Sequence, residues 1–198
     1  MAPSDSLSRA LHDSADPPLR PLPPPVADLL LALNAPPRLA AHLRAVHDVA
    51  VQLVEWVVHR CPGLALDREA VLFGAATHDI GKTVHIAELS GPGSSHEEAG
   101  RELLLAHGFV PERARFAGTH AAWSDPDITL EDLLVSAADK VWKNKRVPDL
   151  EDLIISRLVR ATGRPRWDEY LALDGLLEDI GNGADGRLAF QASFLAHA

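Results

Sequence analysis

A single cysteine, Cys61, stands in a chain of 198 residues. It excludes a disulfide within the chain and a thiolate-rich zinc site. Long apolar runs are also missing. A membrane-spanning helix needs about 18 or more uncharged apolar residues, whereas the best stretch, residues 49–58, is shorter and carries Glu55. The N-terminus has no apolar segment of the signal-peptide kind, so a cytoplasmic protein is expected. Positive charge is in deficit, with 19 Lys and Arg against 28 Asp and Glu and a net charge of -9. That balance speaks against a binder of nucleic-acid polymers. Small phosphorylated ligands remain open, because bound metal ions reverse the local field. Period-2 apolar alternation and internal repeats are absent as well, which leaves an all-α fold.

What is present is an ordinary globular apolar share, 46%, and ten histidines. The length suits one domain. Residues 1–25 are rich in proline, with Ser and Asp among them, and read as a mobile leader; residues 26–198 form the single helical domain. Helices are expected over 26–34, 38–60 after Pro36-Pro37, 68–79 after the cap Asp67, 96–107, 111–120 and 130–143. Further helices follow at 150–162 after the cap Asp149, 166–180 and 186–196. Ser95 with Glu98 and Thr129 with Asp132 have the pattern of capping boxes. Residues 83–94 form a loop long enough to be functional.

Several histidines and acids fall where helices can aim them inward. On the helix 38–60 the buried stripe runs through Leu43, Val46, Ala50, Leu53, Val54 and Val57, and His47 lies on it. His47 is therefore either a satisfied core histidine or a ligand, while His42 and His59 lie off the stripe and read as surface residues. His78 and Asp79 end an apolar helix, with Gly81 turning the chain away and Lys82 close behind. His96 sits in a first helical turn and His120 at a helix end. Asp139 lies among Leu133, Leu134, Ala137, Ala138 and Val141, where a carboxylate needs a cation or strong hydrogen bonds.

Imidazoles and carboxylates without thiolates suit divalent first-row metals. His47, His78, Asp79 and Asp139 would hold one ion. His96 and His120, with Asp79 bridging, would hold a second about 3.5–4 Å away, and such a pair gives a hydroxide nucleophile at neutral pH.

The order His47, His78-Asp79-Ile80-Gly81-Lys82, His96, His120, Asp139 resembles the HD-domain superfamily of metal-dependent phosphohydrolases, over about residues 26–161. The resemblance implies an all-α core around a metal site, with two divalent transition-metal ions per chain. Iron or manganese is foremost, with zinc, cobalt, nickel and magnesium as alternatives. The pattern His-Asp-x-x-Lys followed by two more histidines is similar to small bacterial enzymes acting on nucleotides, among them diadenosine tetraphosphate hydrolases. By that likeness the chain cleaves a phosphoester or phosphoanhydride of a nucleotide or dinucleoside polyphosphate by metal-bound hydroxide, with Asp79 and Lys82 catalytic and Lys82 on a substrate phosphate. Lys143 and Arg146 are candidates for further phosphates and Trp123 for stacking on a base. No Gly-Tyr-Pro follows His120, which sets the chain apart from the cyclic-dinucleotide branch. Two alternatives stand beside hydrolysis: a mixed-valent di-iron oxygenase using the same ligands, and a non-catalytic metal- or nucleotide-binding module. A membrane is not an expected partner; a homodimer is the default assembly.

Overall fold

The computed structural model describes residues 5–195, and among them the chain is helical without strands. The long helix α3, Pro37–Arg60, is the axis of the fold. Pro37 occupies its first turn, where a missing N–H costs nothing. Every residue from Leu39 to Ala50 is buried, because α1 (Asp5–His12), α4 (Arg68–Thr77), α8 (Leu130–Val141) and α11 (Ala184–Ala192) all pack on α3. Helix α2 (Pro24–Ala32) leads into it. Next come α5 (Ser95–Ala106), the short turns α6 (Pro111–Ala114) and α7 (Phe116–Thr119), and the antiparallel pair α9 (Pro148–Thr162) and α10 (Arg166–Asn182). No helix among the described residues is long and apolar enough to cross a membrane.

Two apolar clusters share α3 and α4. Val46, Leu53, Val71, Ala75, Leu134 and Ala138 belong to one, reaching α9 and α10 through Leu158 and Leu177. Leu39, Leu43, Ala76, Ile80 and Leu104 belong to the other.

The segment 5–25, expected as a mobile leader, is instead packed. Leu7 and Leu11 of α1 and then Leu19 and Leu22 are buried. The Arg44 guanidinium, itself buried, donates to the carbonyls of Asp13 at 2.7 Å and Leu19 at 2.9 Å. Proline composition suggested mobility, but a buried cation satisfies the backbone that the prolines leave unpaired, and the four leucines supply the apolar contact. Residues 1–4, and the last three positions where the final expected helix ends, lie outside the described residues.

Other boundaries differ for local reasons. The capping box at Thr129 and Asp132 forms, and Asp132 also accepts from Thr119 Oγ1 at 2.8 Å, tying the start of α8 to the end of α7. The box at Ser95 and Glu98 does not form: Ser94 is the N-cap, and Glu98 pairs with Arg101 at 2.6 Å. Asp149 is no cap either; Pro148 opens α9 and Glu151 accepts from the Val147 N–H at 2.9 Å. The expected helix 111–120 is two short turns. Within the loop 83–94 and just before it, 3-10 turns run over Ile80–Thr83 and Ile86–Leu89.

Gly81 is required by close approach. A Cβ there would overlap the His96 carbonyl and come within 2.6 Å of the Gly100 N. The chain after Asp79 therefore lies directly on the start of α5, which brings His96 to the end of α4.

Candidate metal centre

Five elements converge on one cleft: the N-terminal half of α3, the C-terminal end of α4, the first turn of α5, the end of α7 and the last turns of α8. They bring together two groups of ligand-type side chains, His42, His78 and Asp139, and Asp79, His96 and His120. Within each group the donor atoms lie within 4.8 Å of one another, and all six residues are buried.

Asp79 joins the groups. Its Oδ2 lies 3.1 Å from His42 Nε2 and 3.6 Å from His78 Nε2. Its Oδ1 lies 3.0 Å from His96 Nε2 and 3.7 Å from His120 Nε2. One oxygen thus faces each histidine set. Asp139 Oδ1 stands 3.4 Å from His78 Nε2 and 3.8 Å from His42 Nε2. Lys82 Nζ donates to Asp79 Oδ2 and Lys140 Nζ to Asp139 Oδ2, each at 2.6 Å.

The rings are aimed from behind. His78 Nδ1 is 3.0 Å from the Ala75 carbonyl and His120 Nδ1 is 2.9 Å from that of Ala117. A carbonyl only accepts, so both Nδ1 atoms carry a proton and Nε2 is the ring nitrogen turned toward the carboxylates. His96 Nδ1 meets Glu88 Oε2 at 2.5 Å.

Electrostatics follow from burying two carboxylates among imidazoles. Burial alone would raise the pKa of Asp79, but His78, His42 and His96 outweigh it and hold it well below the carboxylate range. Burial is likewise outweighed at Asp139, chiefly by His78 and Lys140, and its pKa is also lowered. Both acids are ionised at neutral pH and call for positive charge. Burial lowers the pKa of His42 and holds His120 down to about 4, with His78 adding to the effect. Both are neutral at pH 7, the form that ligates. At His78 and His96 burial works the same way but loses to the neighbouring carboxylates, so their pKa values rise.

Divalent cations fit this set. The donors are imidazole and carboxylate, the buried charges need a counterpart, and His96 Nε2 is buried beside Asp79 without a hydrogen-bond partner.

His42 and His47 exchange their expected places. His42, assigned to the surface from the sequence, is in the cluster, its ring 4.9 Å from that of buried Trp142. His47, expected as a ligand, is buried on α3 outside both groups and outside the cleft lining. The two differ by five residues, roughly 140° around the helix. Arg38, one turn before His42 on the same face, also lines the cleft; a polar i, i+4 pair on an otherwise apolar helix start was the available signal.

Lys82, Lys140 and Lys143 line the same cleft, of about 490 Å³. Arg146 does not: its guanidinium is taken by Glu151 at 2.9 and 2.7 Å and by Asp174 at 2.8 Å. Trp123 is packed against the first apolar cluster, outside the cleft lining, with Lys140 Nζ 5.7 Å from its ring centre.

The HD-domain family model matches residues 39–142. The chain belongs to the HD-domain family. The match begins on α3 just before His42 and ends at Trp142, just after Asp139, so it spans both ligand groups. HD domains bind divalent metals and are generally metal-dependent phosphohydrolases, and the histidine and aspartate groups are compatible with such a site. Comparison with curated proteins and with solved structures gives no significant match.

His47 makes a prediction that does not involve the HD site. Burial holds its pKa down to about 4 from an ordinary 6.5. Between those values the unfolded chain binds a proton that the folded chain refuses, so stability rises with pH through that window. Moving from pH 7 to pH 4.5 is expected to cost roughly 2–3 kcal/mol from this residue alone. Urea unfolding of chelated protein at both pH values measures it, with His47→Gln losing that much less than the native chain. Equal losses would show that His47 titrates normally.

Proposed function

We propose that this HD domain hydrolyses a phosphoester or phosphoanhydride bond in a small phosphorylated substrate, a nucleotide or dinucleoside polyphosphate. One observation carries the reading. Arg38, Lys82, Lys140 and Lys143 line the same cleft as His42, Asp79, His96, His120 and Asp139, in a chain whose net charge is -9. Cations gathered at one acidic site on an acidic protein favour an anion that must reach that site.

Asp79 and Asp139, with His42, His78, His96 and His120, would hold the divalent ions. When bound there, such ions polarise phosphate oxygens and acidify a water. The protein's own groups do the remaining work. Lys82 sits on Asp79 Oδ2 and Lys140 on Asp139 Oδ2, each 2.6 Å away, and from there both reach the phosphoryl group and offset charge developing on it. Arg38 is half-buried with no acidic partner among the described residues, and it would hold a further phosphate or the leaving side of the substrate. Exposed Lys143 adds to the field at the mouth.

The test is phosphate release from a panel of mono-, di- and dinucleoside polyphosphates, run with manganese or iron and without oxygen. Turnover under those conditions supports hydrolysis. In a parallel aerobic assay, substrate-dependent oxygen uptake with no phosphate release in either arm would instead establish the oxygenase alternative. Arg38→Ala is expected to raise KM about tenfold or more on substrates with several phosphates while changing kcat little, since it removes one anion contact made before the chemical step. An unchanged KM would remove Arg38 from the substrate site.

A further inference from the structure

We propose that Glu88 is the positioning residue for the second cation position, the one formed by Asp79, His96 and His120. The proposal rests on the reading that these residues bind metal.

The need for such a residue follows from where each histidine sits. His78 and His120 stand at helix ends and use the carbonyls of Ala75 and Ala117, three residues earlier, to fix their rings. His96 is the second residue of α5, so no preceding helical turn exists to supply a carbonyl. Its Nδ1 is met from outside by Glu88 Oε2 at 2.5 Å. A carboxylate there requires the proton on Nδ1 and leaves Nε2 as the free donor atom. That Nε2 is the buried, unpartnered atom 3.0 Å from Asp79 Oδ1.

The same carboxylate holds the backbone that carries the ring. Oε1 accepts from the Ser95 N–H and Oε2 from the His96 N–H, both at 3.2 Å. Glu88 thus takes the place of the side-chain cap that Ser94 does not provide. Space for it comes from Gly93, where φ is +154 and a Cβ would overlap the Glu88 carboxylate. The turn Ile86–Leu89 and Gly93 therefore act together, and the loop 83–94 is part of the site through one side chain. His42, His78 and Asp139 have no comparable dependence on that loop.

The chain, stripped of metal by chelation, is titrated with Mn²⁺ by calorimetry, with bound metal counted after dialysis, for the native protein, Glu88→Ala, Glu88→Gln and Gly93→Ala. The native chain is expected to bind two ions. Glu88→Ala should weaken one of them by about 10–100-fold and leave the other within about twofold. Glu88→Gln should fall between, because its amide oxygen still accepts from Nδ1. Gly93→Ala, which displaces Glu88 without removing it, should follow Glu88→Ala. In the chelated protein, at a pH high enough to make His96 neutral, ¹⁵N spectra of the imidazoles should place its proton on Nδ1 in the native chain and on a mixture of both nitrogens in Glu88→Ala. Two ions bound at native affinity in Glu88→Ala, or both weakened alike, would overturn the assignment of Glu88. Fewer than two ions in the native chain would overturn the two-ion reading itself, and the proposal with it.

Discussion

Asp79→Asn is expected to abolish turnover, by roughly 10³-fold or more, and to lower the metal content from two ions to one or none. A factor of 10³ corresponds to about 4 kcal/mol of lost transition-state stabilisation. The size follows from position. Oδ2 of Asp79 faces His42 and His78 while Oδ1 faces His96 and His120, so its two oxygens are divided between the sets. Asparagine keeps the shape but replaces one anionic oxygen with an NH₂ that can only donate. That NH₂ would oppose whichever cation it faced and would also remove the partner of Lys82. Because the side chain is nearly isosteric, the circular dichroism spectrum should be unchanged, which separates loss of chemistry from loss of fold. Metal analysis after dialysis and a phosphate-release assay decide the matter. A variant retaining both ions and a tenth of native activity would remove Asp79 from its bridging position.

How much of this was legible in the sequence depended on whether a signal was local. The all-α fold, the helix ending at His78-Asp79 and the capping box that starts α8 were all readable, since capping and periodicity act within a few residues. His96 and His120 were also readable as candidates, from helix starts and stops. The rotation of α3 was not. An amphipathic stripe indicates which face is buried only when another face meets water, and α3 is buried on all sides from Leu39 to Ala50. Apolar periodicity on such a helix cannot tell which of two buried histidines meets a carboxylate. The packed segment 5–25 was hidden for a related reason: the partner of its carbonyls is Arg44, far along the chain. Glu88 was overlooked because its partner, His96, lies beyond a loop whose course depends on Gly93. In each case the missing information was a contact between elements, which residue pattern alone does not carry.

The exchange of His42 for His47 yields the second large effect. His42→Ala is expected to lose one ion and more than roughly 100-fold in activity, since even residues that only support a ligand cost 10–100-fold. His42 Nε2 lies 3.1 Å from Asp79 Oδ2, 3.3 Å from His78 Nε2 and 3.8 Å from Asp139 Oδ1, so alanine removes a donor atom from the centre of its group. It also leaves space beside Trp142, and thermal unfolding of the chelated variant gives the structural share of the loss. His47→Gln provides the contrast on the same helix. Its effect should be confined to stability and its pH dependence, with both ions bound and activity within about twofold of native. The two variants thus test the rotation of α3 as well as the role of one ligand. If His47→Gln lost an ion while His42→Ala kept both, α3 would have to turn by roughly 140° in solution. That turn would take Leu39, Leu43 and Val46 out of the clusters they now fill, so the packing of the whole helix argues for His42.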